Sequence, residues 1–372
     1  MTGAAPPARI TAAGRSPQSG SAGRRAAVLG TGSWGTTFAA VLADAGCDVT
    51  LWGRSASVCD QITRERRNEA YLPGIELPAG VTATTDAAAA LRDARVVAVA
   101  VPAQSARTIL APLRDLLEPD AVVVSLMKGV ELSTDRRMSE VLQEVLDLPA
   151  SRVAVVSGPN LAREIAERQP TATVVASSDP DTARLVAAAC ASASFRPYTN
   201  ADVVGVELCG AVKNVIALAV GIAQGQGFGN NTTATVITRG LVEITRLGLA
   251  LGADHETFSG LAGMGDLVAT CASPLSRNHS LGLQLGRGLG LDEAIAATRG
   301  TAEGVKSATS VLDLAQRVGV DMPITAAVVD VLDGRLPLEE MASRLLSRPH
   351  RAEGVAGAHE PLPRTLADAY EI

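Results

Sequence analysis

One stretch constrains this chain more than any other: an apolar run, Ala26-Ala27-Val28-Leu29, breaks into Gly30-Thr31-Gly32-Ser33-Trp34-Gly35 and then a helix-like segment from Thr36 to Ala45. It reads as strand, turn and helix. Gly30 allows the tight turn, Gly32 lets the backbone approach a phosphate, and Gly35 lets the helix pack close to the strand. The helix N-terminus adds N–H groups and a positive dipole end, so a pyrophosphate suits such a turn. A second strand, Asp48-Val49-Thr50-Leu51-Trp52, follows at the distance that a βαβ unit needs.

The tip of that second strand is Gly53-Arg54-Ser55. An acidic residue there would bind a ribose 2′-hydroxyl, whereas a guanidinium pairs with a 2′-phosphate, so NADPH is expected ahead of NADH.

With 372 residues, 47% of them hydrophobic, the chain is long enough for two cores. A net charge of −6 and 2% aromatic residues argue against a nucleic-acid groove, so the expected partners are small molecules and a second copy of the chain. The five cysteines lack C-x-x-C spacing and read as reduced core residues of a cytoplasmic protein. His255, His279, His350 and His359 lack the spacing of a metal set, and no metal is expected. Residues 1–23 and 348–372 have the composition of disordered tails. The apolar stretches Val96 to Pro102 and Val212 to Ala223 are too short or too interrupted by polar residues to span a bilayer, so no stable membrane insertion is expected.

Further strands are expected at Val81–Thr84, Val96–Val101, Ala121–Leu126, Val153–Val156, Thr171–Ala176 and Ser194–Tyr198, with helices at 57–68, 86–92 and 104–117. The uninterrupted valine runs suit strands buried on both faces. The fold class is therefore α/β: a doubly wound, Rossmann-type sheet over residues 24–200, followed by an all-α domain over 201–347. In the second part Val203–Ala223 is apolar almost all round and reads as a buried helix, Asn231 is placed to cap a helix over 232–251, and Gly263-Met264-Gly265-Asp266 reads as a loop. Helices over 281–288, 291–297, 304–316 and 324–332 complete it.

Chemistry concentrates at a few positions. Lys213 lies inside the apolar helix, where burial lowers a lysine's pKa towards the range of proton exchange; the plain alternative is a lysine snorkelling from a helix end. Lys128, in Met127-Lys128-Gly129, follows a buried strand at the sheet edge where ligands sit. Asp266 suits a substrate hydroxyl or a lysine, or else stabilises its turn. Ser276-Arg277-Asn278 groups donors that match a phosphate, although Ser276 equally fits an N-cap.

These motifs occur in one order: Gly-Thr-Gly-Ser-Trp-Gly at 30–35, Ser125-Leu126-Met127-Lys128-Gly129, Ser157-Gly158-Pro159, Gly210-Ala211-Val212-Lys213-Asn214, Gly265-Asp266-Leu267 and Ser276-Arg277-Asn278. In that set the chain resembles bacterial NAD(P)-dependent glycerol-3-phosphate dehydrogenase, from about Arg24 to Leu332. The resemblance implies reversible reduction of dihydroxyacetone phosphate to sn-glycerol 3-phosphate for phospholipid synthesis, with Lys213 as proton acceptor and donor. It implies cofactor contacts at Gly30, Gly32, Ser33, Trp34, Gly35, Arg54, Lys128, Ala162, Arg277, Thr301 and Glu303. It implies substrate contacts at Lys128, Gly158, Asn160, Lys213, Asp266, Ser276, Arg277 and Asn278, and a homodimer is expected. Asn160 stands where many members carry a small hydroxyl residue, and Thr301 where an apolar residue is common. Two alternatives share parts of the pattern: a hydroxyacid dehydrogenase binding a carboxylate, and a dinucleotide sensor without turnover.

Overall fold

In the computed structural model, which describes residues 25–298 and 303–346, the valine runs become the centre of one eight-stranded sheet. Its strands are β1 (Arg25–Leu29), β2 (Asp48–Trp52), β3 (Val81–Thr84), β4 (Val96–Val99), β5 (Val122–Ser125), β6 (Val153–Ser157), β7 (Thr171–Ala176) and β8 (Phe195–Asn200). Their order is β3-β2-β1-β4-β5-β6-β7-β8, and every neighbouring pair is parallel except the antiparallel β6–β7. Successive side chains alternate between two cores: Ala26 and Val28 join one with Phe38 and Leu42, while Ala27 and Leu29 join the other with Leu110 and Met138. Burial on both faces is why these strands are apolar throughout.

The helices of this half are α1 (Ser33–Asp44), α2 (Ala56–Glu65), α3 (Ala87–Leu91), α4 (Ala106–Leu110), α5 (Met138–Leu146), α6 (Ala162–Ala166) and α7 (Pro180–Cys190). The helix expected over 104–117 is broken into 3₁₀, α and 3₁₀ pieces, because Pro112 lacks an N–H and crowds the preceding turn. The last three helices escaped the sequence reading, although Met138, Val141 and Leu142 give α5 one buried stripe.

Beyond the sheet come α8 (Val203–Gly225), α9 (Asn230–Ala250), α10 (His255–Ser259), α11 (Asp266–Ala272), α12 (Arg277–Gly286), α13 (Leu291–Ala297), α14 (Glu303–Arg317), α15 (Pro323–Leu332) and α16 (Met341–Leu346). Their core surrounds α8, which is long and apolar enough to cross a membrane by length and composition, yet 89% of its most apolar window is buried inside the protein. Two expectations change here. Asn231 is not a cap: α9 starts at Asn230, two residues earlier than expected, with Gly229 at the cap position. Gly263–Asp266 is not a loop but a π-helical turn, Leu261–Gly265, running into α11, because Gly263 packs on the Phe258 backbone where no side chain fits. The segment after Thr270 is helical to Ala272 and again from Arg277. The tails at 1–23 and 348–372 lie outside the described residues.

Candidate active site

The strand order reverses beside β1, and there, at the carboxyl ends of β1 and β4, a cleft of about 820 Å³ opens. Gly30 has a φ of +124°, and a Cβ on it would stand 2.5 Å from the Ala100 carbonyl oxygen, so only glycine serves. Gly35 packs against that same turn, whereas around Gly32 a Cβ would meet nothing within 4 Å. No side chain caps α1, so its first-turn N–H groups are left for a ligand. Trp34 stacks edge-on against Phe38 at 5.6 Å, and its buried Nε1 has no partner among the described residues. An open glycine, an uncapped helix and an orphaned donor on one cleft wall fit a dinucleotide. Arg54 is exposed at the cleft margin after β2, with no hydrogen bond or ion pair among the described residues.

The opposite wall is built by α8, α11 and α12. Asp202 fixes the start of α8 by accepting from the Gly205 N–H at 2.8 Å. Three turns on, Lys213 is only 6% exposed, and its Nζ donates to Asp266 Oδ1 and to Thr270 Oγ1, the latter at 2.7 Å. Asp266 and Thr270 are four residues apart on α11 and therefore share a face. The other carboxylate oxygen of Asp266 accepts from Lys128 Nζ at 2.7 Å, and Lys128 also donates to the Gly158 carbonyl at 3.3 Å. Gly158 turns with a φ of +147°. Gly210 lets α8 lie close to the end of β6: a Cβ there would stand 3.0 Å from Ser157 Oγ and in ordinary contact with the Lys128 stem.

Two ammonium groups thus share one carboxylate that is 1% exposed. Burial pulls Lys213 below the ordinary lysine range; the charge of Asp266 opposes this and that of Lys128 adds to it.

On α12, Ser276 is the N-cap and accepts from the His279 N–H at 3.3 Å, so the plain alternative is what the structure shows for its hydroxyl. Asn278 Oδ1 accepts from the Gly304 N–H at 3.0 Å and ties α12 to the start of α14. Arg277 is exposed, lines the cleft and has no polar partner among the described residues. Ala162 begins α6 on the cleft wall and accepts from Thr37 Oγ1 through its carbonyl. Asn160 lines the cleft too, with Nδ2 donating to Thr173 Oγ1 at 3.0 Å and Oδ1 buried without a partner among the described residues. Glu303 opens α14, and Thr301 lies outside the described residues.

Most of the expected site residues therefore surround one cleft, with Asp266 and Gly158 just behind its lysines. Sequence reasoning missed Thr270, whose signal was its i+4 spacing from Asp266, and the cleft wall formed by Tyr71, Leu72 and Pro73. Among the described residues no group of three or more His, Cys, Asp or Glu could hold a metal ion.

Comparison with known proteins bears on the same two halves. Residues 25–183 match the model for the N-terminus of NAD-dependent glycerol-3-phosphate dehydrogenase, and residues 202–343 match the model for its C-terminus. A Streptomyces griseus protein named glycerol-3-phosphate dehydrogenase (NAD(P)+) is 62% identical over 330 residues, covering 88% of this chain and 98% of its own length. The crystal structure of glycerol-3-phosphate dehydrogenase from Coxiella burnetii superposes with a TM-score of 0.83 at 36% identity, over 88% of this chain and all of that one. A ketopantoate reductase from Ralstonia eutropha shares the fold alone, at 16% identity and a TM-score of 0.53. On matches that span both halves, the chain belongs to the NAD-dependent glycerol-3-phosphate dehydrogenase family.

Proposed function

We propose that this protein catalyses the reversible reduction of dihydroxyacetone phosphate to sn-glycerol 3-phosphate with NADPH or NADH. In this reading Lys213 gives and takes the proton, and the product supplies glycerophospholipid synthesis. The observation that carries the reading is the buried Asp266 carboxylate shared by Lys213 and Lys128 beside a cleft that Arg277 also lines.

Residues 24–200 serve the cofactor and 201–347 the substrate chemistry. Gly30, Gly32, Gly35 and the α1 N-terminus would hold the pyrophosphate and Arg54 a 2′-phosphate, with Ser33, Trp34, Lys128, Ala162, Arg277, Thr301 and Glu303 around the rest. When bound, the dinucleotide supplies the hydride that C2 of the ketone accepts. Lys213 Nζ delivers a proton to the oxygen that gains negative charge, and Lys128 places a second positive charge near it. Asp266 and Thr270 hold Lys213 in one direction. Arg277 pairs its guanidinium fork with the substrate phosphate, and Gly158, Asn160, Ser276 and Asn278 complete that side. A lowered lysine pKa lets one group serve as acid in reduction and base in oxidation. The cytoplasm is the proposed compartment, supported by five cysteines that are all free thiols.

The test is cofactor oxidation by purified protein with dihydroxyacetone phosphate, unphosphorylated dihydroxyacetone and a panel of keto acids. Turnover of the phosphorylated ketone alone is expected. Turnover of a keto acid, with none of the phosphorylated ketone, would overturn the assignment.

A further inference from the structure

Asn68 is a wholly buried polar residue at 0% exposure, and the chemistry above gives it no role. It follows α2 in the segment that leads to the cleft wall. Its amide Nδ2 donates twice, to the Thr31 carbonyl at 2.9 Å and to Thr36 Oγ1 at 2.8 Å. Thr36, also at 0% exposure, donates its own hydroxyl to the same Thr31 carbonyl at 3.2 Å. Two side-chain donors from different elements thus converge on one carbonyl, in the middle residue of Gly30-Thr31-Gly32.

A trans peptide is planar, with its C=O and the following N–H pointing in opposite directions. Drawing the Thr31 oxygen inward to Asn68 therefore turns the Gly32 N–H away from Asn68, and Gly32 itself lines the cleft. A flip of this peptide would instead aim a carbonyl oxygen at an incoming phosphate, acceptor against anion. The segment that carries Asn68 is itself tied down: the Asn68 carbonyl accepts from the Leu72 N–H at 2.7 Å, Ser33 Oγ donates to the Tyr71 carbonyl at 2.6 Å, and Arg163 donates to the Pro73 carbonyl at 3.1 Å. Wall and glycine turn are one hydrogen-bonded unit.

We infer that Asn68 is a positioning residue of the cofactor site: by holding the Thr31 carbonyl it presents the Gly32 N–H to the dinucleotide pyrophosphate. The inference rests on reading the glycine turn as that pyrophosphate site. Asn68→Asp keeps the shape but sets an acceptor against the Thr31 oxygen. Thr36→Val removes the second donor while keeping its volume.

The experiment measures NADPH affinity directly, together with kcat and both KM values. Losing a hydrogen bond and gaining a repulsion raises the NADPH Kd of Asn68→Asp by about tenfold or more, and Thr36→Val raises it by roughly threefold. The KM for dihydroxyacetone phosphate and kcat at saturating NADPH stay within about twofold, a split that general loss of structure would not give. Should Asn68→Asp fail to fold, Thr36→Val carries the test alone. Unchanged NADPH affinity in a folded variant overturns the role of Asn68. Failure of the unaltered protein to bind NADPH at all overturns the reading of the glycine turn, and with it this inference.

Discussion

The role proposed for Lys213 depends on the place of Asp266. The lysine stood out in the sequence because a cation inside an apolar run needs a partner, but the partner lies 53 residues on and the competing Lys128 lies 138 residues from Asp266. No local pattern joins them. Replacing Asp266 by Asn leaves the buried Lys213 ammonium and the partly buried Lys128 ammonium without a counter-charge, which costs about 3–5 kcal/mol of stability. It also lowers the Lys213 pKa further, and the proposed mechanism uses the protonated lysine in reduction, so the fall of kcat with rising pH moves to lower pH in Asp266→Asn. A pH–rate profile of ketone reduction reads this, and a shift to higher pH would contradict it. Thr270→Val removes one hydrogen bond that Lys213 Nζ donates to an uncharged acceptor and should lower kcat by roughly five- to tenfold without changing NADPH affinity, as steady-state kinetics would show.

Among the elements, α8 and α12 pack backbone to backbone. Gly282 faces α8 so closely that a Cβ would stand 2.9 Å from the Ile222 nitrogen, and Gly221 faces α12 with Leu283 N at 2.8 Å. A sequence shows such glycines as helix weaknesses; only the packed pair shows the reason. Because α12 begins with Arg277, Gly282→Ala should cost about 1–3 kcal/mol and raise the KM for the phosphorylated substrate, read by denaturant unfolding and kinetics. Glu243 on α9 caps α15, accepting from the Ile324 N–H at 2.6 Å and the Thr325 N–H at 3.2 Å. Burial outweighs these bonds and pushes its carboxyl up to about 7. A raised pKa means the fold favours the protonated form. Its stabilisation is complete below the ordinary value of 4.5 and is lost as pH rises through about 7. Stability should therefore decline across that window, and Glu243→Gln should remove this part of the slope in urea titrations at several pH values.

For the whole molecule, what could be read in advance was what repeats locally: valine runs for strands, a glycine turn between strand and helix, an apolar helix for the second core. The π-turn before Asp266 was misread because Gly263 and Gly265 look like loop residues until Gly263 is packed against the Phe258 backbone. The wall at Tyr71–Pro73 was missed because a short turn does not announce what it covers. The central claim, that Lys213 moves the proton in the cleft between the two cores, is tested most directly by kcat for reduction of dihydroxyacetone phosphate by Lys213→Ala, with NADPH affinity measured on the same sample. The account predicts a loss of about 10²–10⁴-fold in kcat with NADPH binding retained. A kcat within about twofold of the unaltered protein would contradict it.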